Sequence, residues 1–177
     1  MKMRPVSLEL KRNAEKYEII IVHDELKDLT ERLSALKIGT TAVVVTDPVV
    51  RKYHEGALAS ALRAQGFEID VVEVSAGEAS KSAQTAFDVI HHIALKHPAK
   101  EIFLIALGGG VIGDLTGFVA AVYKRGVPYV QVPTTLLAQI DSAIGGKTAV
   151  DLPFGKNLAG AFYQPRLVFS DTALLST

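Results

Sequence analysis

From Tyr17 onward the sequence alternates short, β-branched, apolar runs with longer stretches of helical periodicity. The runs "AVVV" and "IFLIAL" are apolar without polar alternation, which is typical of parallel strands covered by helices on both faces. Between the run "YEIIIV" and the run that contains "AVVV", one apolar helix face is formed by Leu26, Leu29, Leu33 and Leu36. This alternation predicts an α/β fold, a Rossmann-like, doubly wound and mostly parallel sheet with flanking helices.

The same pattern assigns the individual elements. Strands are expected in "YEIIIV", "TTAVVVTD", "FEIDVVEV", "EIFLIAL", "PYVQVP" and "RLVFSD". Helices are expected between them, one with Pro48 in its first turn and Gly66 at its end, and one over "TTLLAQID". After Ser142 the segment "GGKTAVDLPFGKNLAGAFYQP" keeps no regular period, so we expect functional loops with a small hairpin there.

Composition excludes several classes of function. The 177 residues are 49% hydrophobic and 21% charged, which fits one globular domain. Nineteen basic residues balance nineteen acidic ones, so no overall field attracts nucleic acid or an anionic membrane surface. Without cysteine there is no disulfide framework, thiolate metal site or cysteine nucleophile. Neither a signal peptide nor a run of about 18 apolar residues occurs, so we expect a cytoplasmic protein.

The stretch "ALGGGVIGDLTGF", residues 106–118, carries the first candidate site. Three consecutive glycines lie between a strand expected to end at Leu107 and a helix expected from about Ile112. Glycines let a pyrophosphate approach the backbone, and free amides at a helix start point toward its charge. A purely structural tight turn is the alternative. Asp114 is either an ordinary first-turn carboxylate or an acceptor for a nicotinamide amide or ribose.

Two further clusters follow strands at the carboxyl edge of the predicted sheet, where open α/β folds bind ligands. In "GEASKS", Glu78 and Lys81 form either part of a ribose site or a helix cap. In "IGGKTAVDLPFGKN", Lys147 and Lys156 suit a phosphate or carboxylate ligand, or they are solvated. "GGKT" lacks the earlier glycine that a Walker A motif requires, so an ATPase loop is rejected.

The histidines do not form a ligand set by their spacing. They are expected to be solvated or to cap helices, and they are His23, His54, His91, His92 and His97. The sequence also lacks G-x-S-x-G, so a serine nucleophile on a strand-to-helix elbow is unsupported.

Taken together, five segments resemble the 3-dehydroquinate synthase family in order and spacing: "GEASKS", "ALGGGVIGDLTGFVAAVYKRG", "VPTTLLAQIDSAIGGKTAVD", "GKNLAGAFYQP" and "DTALLST". The resemblance covers nearly the whole chain, whereas members of the family are longer. It implies that residues 1–177 are the NAD-binding N-terminal domain of a two-domain enzyme whose helical, metal-binding C-terminal domain is absent from this chain.

The activity implied by the resemblance is that of an NAD-dependent carbon–oxygen lyase. The family converts 3-deoxy-D-arabino-heptulosonate 7-phosphate into 3-dehydroquinate and phosphate, in the shikimate pathway of aromatic amino acid biosynthesis. The cofactors implied are NAD and, in the full-length enzyme, zinc or cobalt held by C-terminal ligands. Because those ligands lie outside this chain, we expect the polypeptide alone to be inactive.

The partners implied are a phosphorylated sugar-acid substrate and a second copy in a homodimer, with no nucleic acid and no membrane. Three alternatives stay open. They are a related sugar-phosphate cyclase such as 2-deoxy-scyllo-inosose synthase, a glycerol-dehydrogenase-like NAD enzyme, and a non-catalytic nucleotide-binding module.

The resemblance also implies roles for individual residues in the cofactor site. The ribose region falls to Glu78 and Lys81, and the pyrophosphate to Gly109, Gly110 and Val111. The nicotinamide end falls to Asp114, Thr134 and Thr135, and Lys156 belongs to the same site. The adenosine side is assigned to Asp47 and to the terminal stretch from Leu174 to Thr177.

Substrate contacts are implied for Asp141, Lys147 and Asn157, and Arg125 is expected to reach the phosphate site of the partner in the homodimer. The chain departs from the family pattern in two places. Pro48 and Val49 follow Asp47 where members often carry a polar residue, and Ala143 replaces a serine. The first departure bears on the adenosine contact.

Overall fold

The computed structural model describes residues 16–176. Eight strands are present among them: β1 (Glu18–Val22), β2 (Thr41–Thr46), β3 (Glu68–Glu73), β4 (Ile102–Gly108), β5 (Tyr129–Pro133), β6 (Lys147–Leu152), β7 (Gly155–Phe162) and β8 (Leu167–Asp171). Six of them form one sheet in the order β1-β8-β5-β4-β2-β3, in which every neighbouring pair is parallel. The doubly wound parallel sheet predicted from the sequence is thereby confirmed.

The helices connect these strands. They are α1 (Leu26–Leu36), α2 (Pro48–Val50), α3 (Gly56–Ala64), α4 (Ala83–Lys96) and α5 (Gly110–Val122). The helix expected to run from Pro48 to Gly66 is interrupted by a π-helical turn, Arg51–Glu55, which joins α2 to α3. Of the expected helix over "TTLLAQID", Leu136 and Leu137 are α-helical, and a second π-helical turn, Ala138–Ser142, follows them. Short 3₁₀ turns occupy Glu78–Ser80, Tyr123–Arg125 and Thr172–Leu175.

Two hydrophobic cores cover the two faces of the sheet. Side chains of a strand alternate between faces, so Val43 and Val45 of β2 pack with α4 and α5, whereas Ala42 and Val44 pack with α1 and α3. All residues of β4 are buried. Burial on both faces is the physical reason for the unbroken apolar run in this strand, because removal of its apolar side chains from water stabilises the fold.

The chain reverses its direction of progress across the sheet between β2 and β4. These strands are neighbours, but α2 and α3 follow β2 onto one face and α5 follows β4 onto the other. The divergence of the two connections opens a crevice at the carboxyl edge of the sheet, the usual place of ligands in such folds. Asp47 directly follows β2 there, and Gly109 directly follows β4.

The glycine turn is tighter than the sequence predicted. Strand β4 extends to Gly108 and α5 begins at Gly110, not near Ile112, so Gly109 alone joins them. The first turn of α5 is closed by the Gly113 N–H, which donates to the Gly109 carbonyl at 3.0 Å. A helix can start this early because glycine places no Cβ in the crowded junction: a Cβ on Gly108 would lie 2.6 Å from the Ile112 side chain.

The predicted hairpin is confirmed. Strands β6 and β7 pair antiparallel from Lys147 with Phe162 to Leu152 with Gly155. The hairpin lies on α5, where the Thr148 side chain contacts the position that a Cβ of Gly117 would occupy. The hairpin also brings Lys147 and Asn157 into one cavity lining with Asp114 of α5.

Two histidines are paired, which corrects the expectation that they are solvated. The Nε2 atoms of His92 and His97 lie 2.7 Å and 2.9 Å from Asp70 Oδ2, and Lys96 Nζ lies 3.2 Å from Asp70 Oδ1. His97 also occupies the C-cap position of α4, as the capping alternative allowed. Asp70 lies on β3, so tertiary packing brings it to the end of α4.

Burial alone would raise the pKa of Asp70. Hydrogen bonds from His97, His92 and Lys96 outweigh burial, and the pKa falls to about 2. A carboxylate whose pKa is depressed on folding stabilises the native state above its unfolded pKa, and this stabilisation is lost as the pH falls through the folded pKa. For Asp70 that window runs from about pH 4 down to about pH 2.

The described residues hold no group of three or more His, Asp or Glu side chains arranged to bind a metal ion. Within residues 16–176, none of the helices has the length and apolar character needed to cross a membrane.

Asp70→Asn tests this ion-pair cluster. We expect the substitution to lower the free energy of unfolding by about 2 kcal/mol at pH 5, because the depressed pKa measures the advantage of the ionised carboxylate. Urea unfolding at a series of pH values would show the difference from the parent shrinking toward about pH 2. Asp88→Asn, at an exposed carboxylate of α4, is the matched control. A deficit in Asp70→Asn that stays constant over this pH range would contradict the pairing.

Candidate functional site

A hydrogen-bonded cluster at the carboxyl edge joins the buried Lys81 to the half-buried Asp114 and the exposed Asn157. Lys81 follows the 3₁₀ turn after β3, Asp114 lies in the first turns of α5, and Asn157 lies on β7. The Lys81 ammonium donates to Asp114 Oδ2 and, at 2.6 Å, to Asn157 Oδ1. Residues that the sequence assigned separately to cofactor and substrate are thus linked by one cation.

Burial sets the electrostatics of this cluster. The Lys81 side chain is 6% exposed and that of Asp114 is 19% exposed. Burial raises the pKa of Asp114, and the hydrogen bond and charge of Lys81 oppose that rise. The free energy of desolvation is offset only by the attraction within the pair and by the additional hydrogen bond to Asn157. Removal of either partner is therefore expected to destabilise the fold.

A cavity of about 470 Å³ lies between the hairpin and the beginning of α5. Asp114, Asp141, Lys147 and Asn157 line it, with apolar side chains that include Phe162. The three residues expected to contact substrate therefore share one cavity with the residue expected to position the nicotinamide. Carboxylate, ammonium and amide groups around a partly apolar wall suit a polar, anionic small molecule.

The glycine turn, residues 108–110, packs against Ser142, which lines this cavity. A Cβ on Gly110 would lie 2.9 Å from Ser142 Oγ, and a Cβ on Gly109 would lie 3.2 Å from Thr135 Cγ2. The N-cap position of α5, Gly109, has no side-chain hydrogen bond to the helix. The start of α5 therefore meets the backbone requirement of the predicted phosphate site, because the first N–H groups of a helix, including that of Val111, have no partner within the helix.

The two threonines lie beside this turn. The Thr134 N–H donates to the Gly108 carbonyl at 3.0 Å. Thr135 Oγ1 accepts from the Ala138 N–H at 3.3 Å, and the Thr135 carbonyl accepts from the Gln139 N–H at 3.0 Å. Thr134 is buried and Thr135 is exposed, so only the second offers its side chain at the surface of the crevice.

Glu78 and Lys156 form a second, exposed contact. Lys156 Nζ lies 3.1 Å from Glu78 Oε1, with side chains 69% and 46% exposed, respectively. The structure therefore brings these two predicted cofactor residues together. Their attraction is screened by water and contributes little to stability, which leaves both groups available to a ligand.

Asp47 caps a helix. Its Oδ1 accepts from the N–H groups of Val49 and Val50 at 2.9 Å and 3.0 Å. The carboxylate stabilises the start of α2 whether or not it also contacts a ligand. Its position after β2 is nevertheless on the switch-point crevice.

The last three predicted residues lie away from the cavity or outside the described residues. Leu174 is 5% exposed and packs in the core formed with α1 and α3. Thr177 lies outside the described residues. Arg125 is exposed in the turn after α5, whose 13 residues place it about 20 Å from the glycine turn. Its contact with a partner subunit stays a prediction.

Sequence reasoning missed Ser142 and Asp151. Ser142 Oγ is buried without a hydrogen-bond partner among the described residues and contacts the glycine turn. Asp151 Oδ1 accepts from the Asn157 N–H at 2.8 Å. The neighbours of both residues, Asp141 and Lys156–Asn157, were singled out by charge and position. Ser142 is uncharged, and the charge of Asp151 alone does not indicate its partner, because the contacts of both residues arise only from packing.

Sequence comparison matches residues 71–177 to a known family of domains. The family model described as 3-dehydroquinate synthase N-terminal matches residues 71–177. The 3-dehydroquinate synthase of Lactiplantibacillus plantarum is 44% identical over 171 residues, which are 97% of this chain and 48% of that relative. The chain therefore spans about half the length of the curated relatives that it matches.

Two solved structures share the fold with a TM-score of 0.82. One is 2-deoxy-scyllo-inosose synthase complexed with carbaglucose-6-phosphate, NAD+ and Co2+, at 28% identity, covering 90% of this chain and 43% of that chain. The other is 2-epi-5-epi-valiolone synthase from Streptomyces hygroscopicus subsp. jinggangensis with NAD+ and Zn2+ bound, at 29% identity, covering 96% of this chain and 47% of that chain.

The two ion pairs of the site allow a matched test. We expect Lys81→Met to lower the free energy of unfolding by about 3 kcal/mol, because it leaves the Asp114 carboxylate buried without its cation. Lys156→Met removes the exposed pair with Glu78 and should leave stability nearly unchanged. Urea unfolding of both variants measures the difference. Equal effects of the two substitutions would contradict the buried character of the Lys81–Asp114 pair.

Proposed function

The chain belongs to the 3-dehydroquinate synthase family, and we propose that it is the N-terminal, NAD-binding domain of a two-domain enzyme of that family. The observation that carries the proposal is the glycine turn at the switch point, directly beside the cavity lined by Asp114, Asp141, Lys147 and Asn157. In the proposed reaction, 3-deoxy-D-arabino-heptulosonate 7-phosphate is converted into 3-dehydroquinate and phosphate.

The residues at the crevice fit NAD. The close packing of Gly110 against Ser142 leaves no room for a side chain, and the N–H groups at the start of α5 suit a pyrophosphate. Glu78 offers acceptors for ribose hydroxyls, and Lys156 offers a cation that is free to move because it is exposed. When bound, NAD would accept a hydride from the substrate and return it. Asp114, held by Lys81, would position the nicotinamide end.

The substrate contacts are proposed for the cavity beyond this end. Lys147 supplies a cation for a carboxylate or phosphate, and Asp141 supplies acceptors for hydroxyl groups. Asn157 adds a neutral polar group at the same wall. The solved 2-deoxy-scyllo-inosose synthase, whose bound ligand is carbaglucose-6-phosphate, supports a phosphorylated sugar-like substrate for this cavity.

A 3-dehydroquinate synthase is favoured over a different cyclase because of sequence identity. The chain is 44% identical to the synthase of Lactiplantibacillus plantarum, against 28% to the solved 2-deoxy-scyllo-inosose synthase. We propose that the whole enzyme is a cytoplasmic homodimer in which Arg125 reaches the partner's phosphate site. We place its zinc or cobalt ligands in the second domain.

Cofactor binding can be measured on the chain itself by calorimetry. We expect weak NAD binding by the parent and no detectable binding by Gly110→Val, because the added side chain occupies the turn that would hold the pyrophosphate. Gly56→Ala is the control, since a Cβ at that helical position meets nothing within 4 Å. Circular dichroism would establish that each variant is folded.

A double variant separates exclusion of the ligand from internal strain. Gly110→Ala places a Cβ 2.9 Å from Ser142 Oγ, and adding Ser142→Gly removes that clash. We expect the double variant to fold like the parent and still bind NAD more weakly. Full NAD affinity in the double variant would rule out the turn as the pyrophosphate site, and a parent without affinity would count against a preformed cofactor site.

A further inference from the structure

Asp151 lies at an irregularity of the hairpin. The register of β6 with β7 shifts between Val150 and Leu152, so Asp151 between them has no partner in the ladder. Val150 pairs with Ala159 and Leu152 pairs with Gly155, so residues 156–158 of β7 lie opposite Asp151 and the extra residues are on β7. The irregularity releases the backbone and side chain of Asp151 from regular pairing. The backbone N–H and the side chain of Asp151 form hydrogen bonds outside the ladder, and both bonds help to arrange the cluster of Lys81, Asp114 and Asn157.

The backbone of Asp151 is attached to the segment that carries Lys81. The Asp151 N–H donates to the Lys81 carbonyl at 2.7 Å, and Asp151 forms an isolated parallel bridge with Ser82. The hairpin is thereby fixed to the beginning of α4. This attachment sets the distance between Lys81 and the residues on β7.

The side chain of Asp151 holds Asn157. Asn157 has a positive φ of 58°, a left-handed conformation that asparagine tolerates better than most residues. In this conformation its N–H donates to Asp151 Oδ1 at 2.8 Å, and its own Oδ1 accepts from Lys81 Nζ at 2.6 Å. A hydrogen bond to a carboxylate is stronger than one between neutral groups, so it can fix this conformation.

We infer that Asp151 is a positioning residue that orients Asn157 toward the substrate. Because the Asn157 Oδ1 is used by Lys81, the amide is left with its Nδ2 donors for a ligand in the cavity. Donors at this wall select oxygen acceptors such as hydroxyl, carboxylate or phosphate oxygens. The inference about the ligand rests on the proposed function, whereas the positioning of Asn157 does not.

Nuclear magnetic resonance of the 177-residue chain tests the positioning. In the parent, the backbone amide proton of Asn157 should lie downfield, because it is hydrogen-bonded to the Asp151 carboxylate. Asp151→Ala should remove the downfield shift, move the signals of the Asn157 Nδ2 protons, and speed hydrogen exchange of the Asn157 backbone amide by about five-fold or more, the change expected on losing the one hydrogen bond that protects it.

Asp151→Asn is the conservative rescue, because its amide oxygen can still accept from the Asn157 N–H. It should retain slow exchange of the Asn157 backbone amide with a smaller downfield shift, because the acceptor is neutral. Asp88→Ala, at an exposed carboxylate of α4, should change neither signal. Unchanged Asn157 signals in Asp151→Ala would overturn the inference. Hydrogen exchange in Asp151→Asn as fast as in Asp151→Ala would overturn it as well. A failure of the parent to bind NAD would instead contradict the proposed function and leave this result standing.

Discussion

The Lys81 ammonium holds together three segments that are distant in the chain: the beginning of α4, the first turns of α5, and β7 of the hairpin. A buried cation is expensive unless its hydrogen bonds are satisfied, so its two acceptors, Asp114 and Asn157, are required partners. The arrangement of the cavity follows from that requirement. Asp114 and Asn157 line the cavity, and they face it in the geometry that Lys81 imposes.

The second constraint is steric and lies on the other side of the same helix start. The junction of β4 with α5 packs closely against the π-helical turn that carries Ser142, so that Gly110 has no space for a Cβ. The glycines thus serve packing and expose backbone N–H groups at once. A tight turn and a phosphate site, which the sequence left as alternatives, are therefore compatible, because both require the absence of side chains.

Much of the fold could be predicted because apolar periodicity reports burial directly. The unbroken run in β4 predicted a strand covered on both faces, and all of its residues are buried. The details that failed depend on packing between elements. The early start of α5 at Gly110 and the π-helical turn over Ala138–Ser142 are set by contacts with neighbouring segments. Local propensity does not include such contacts. The pairing of His92 and His97 with Asp70 likewise joins residues far apart in sequence.

The sequence by itself determined the class of fold, the carboxyl-edge location of the glycine turn and the residue types available there, because these follow from local pattern and from the order of strands. Only the tertiary structure decided which charged groups meet. It paired Lys81 with Asp114 and Asn157, paired Lys156 with Glu78, and brought Asp151 to Asn157 through a bulge. The physical reason is that hydrogen bonds and ion pairs act over a few ångströms, and chain packing alone sets distances at that scale.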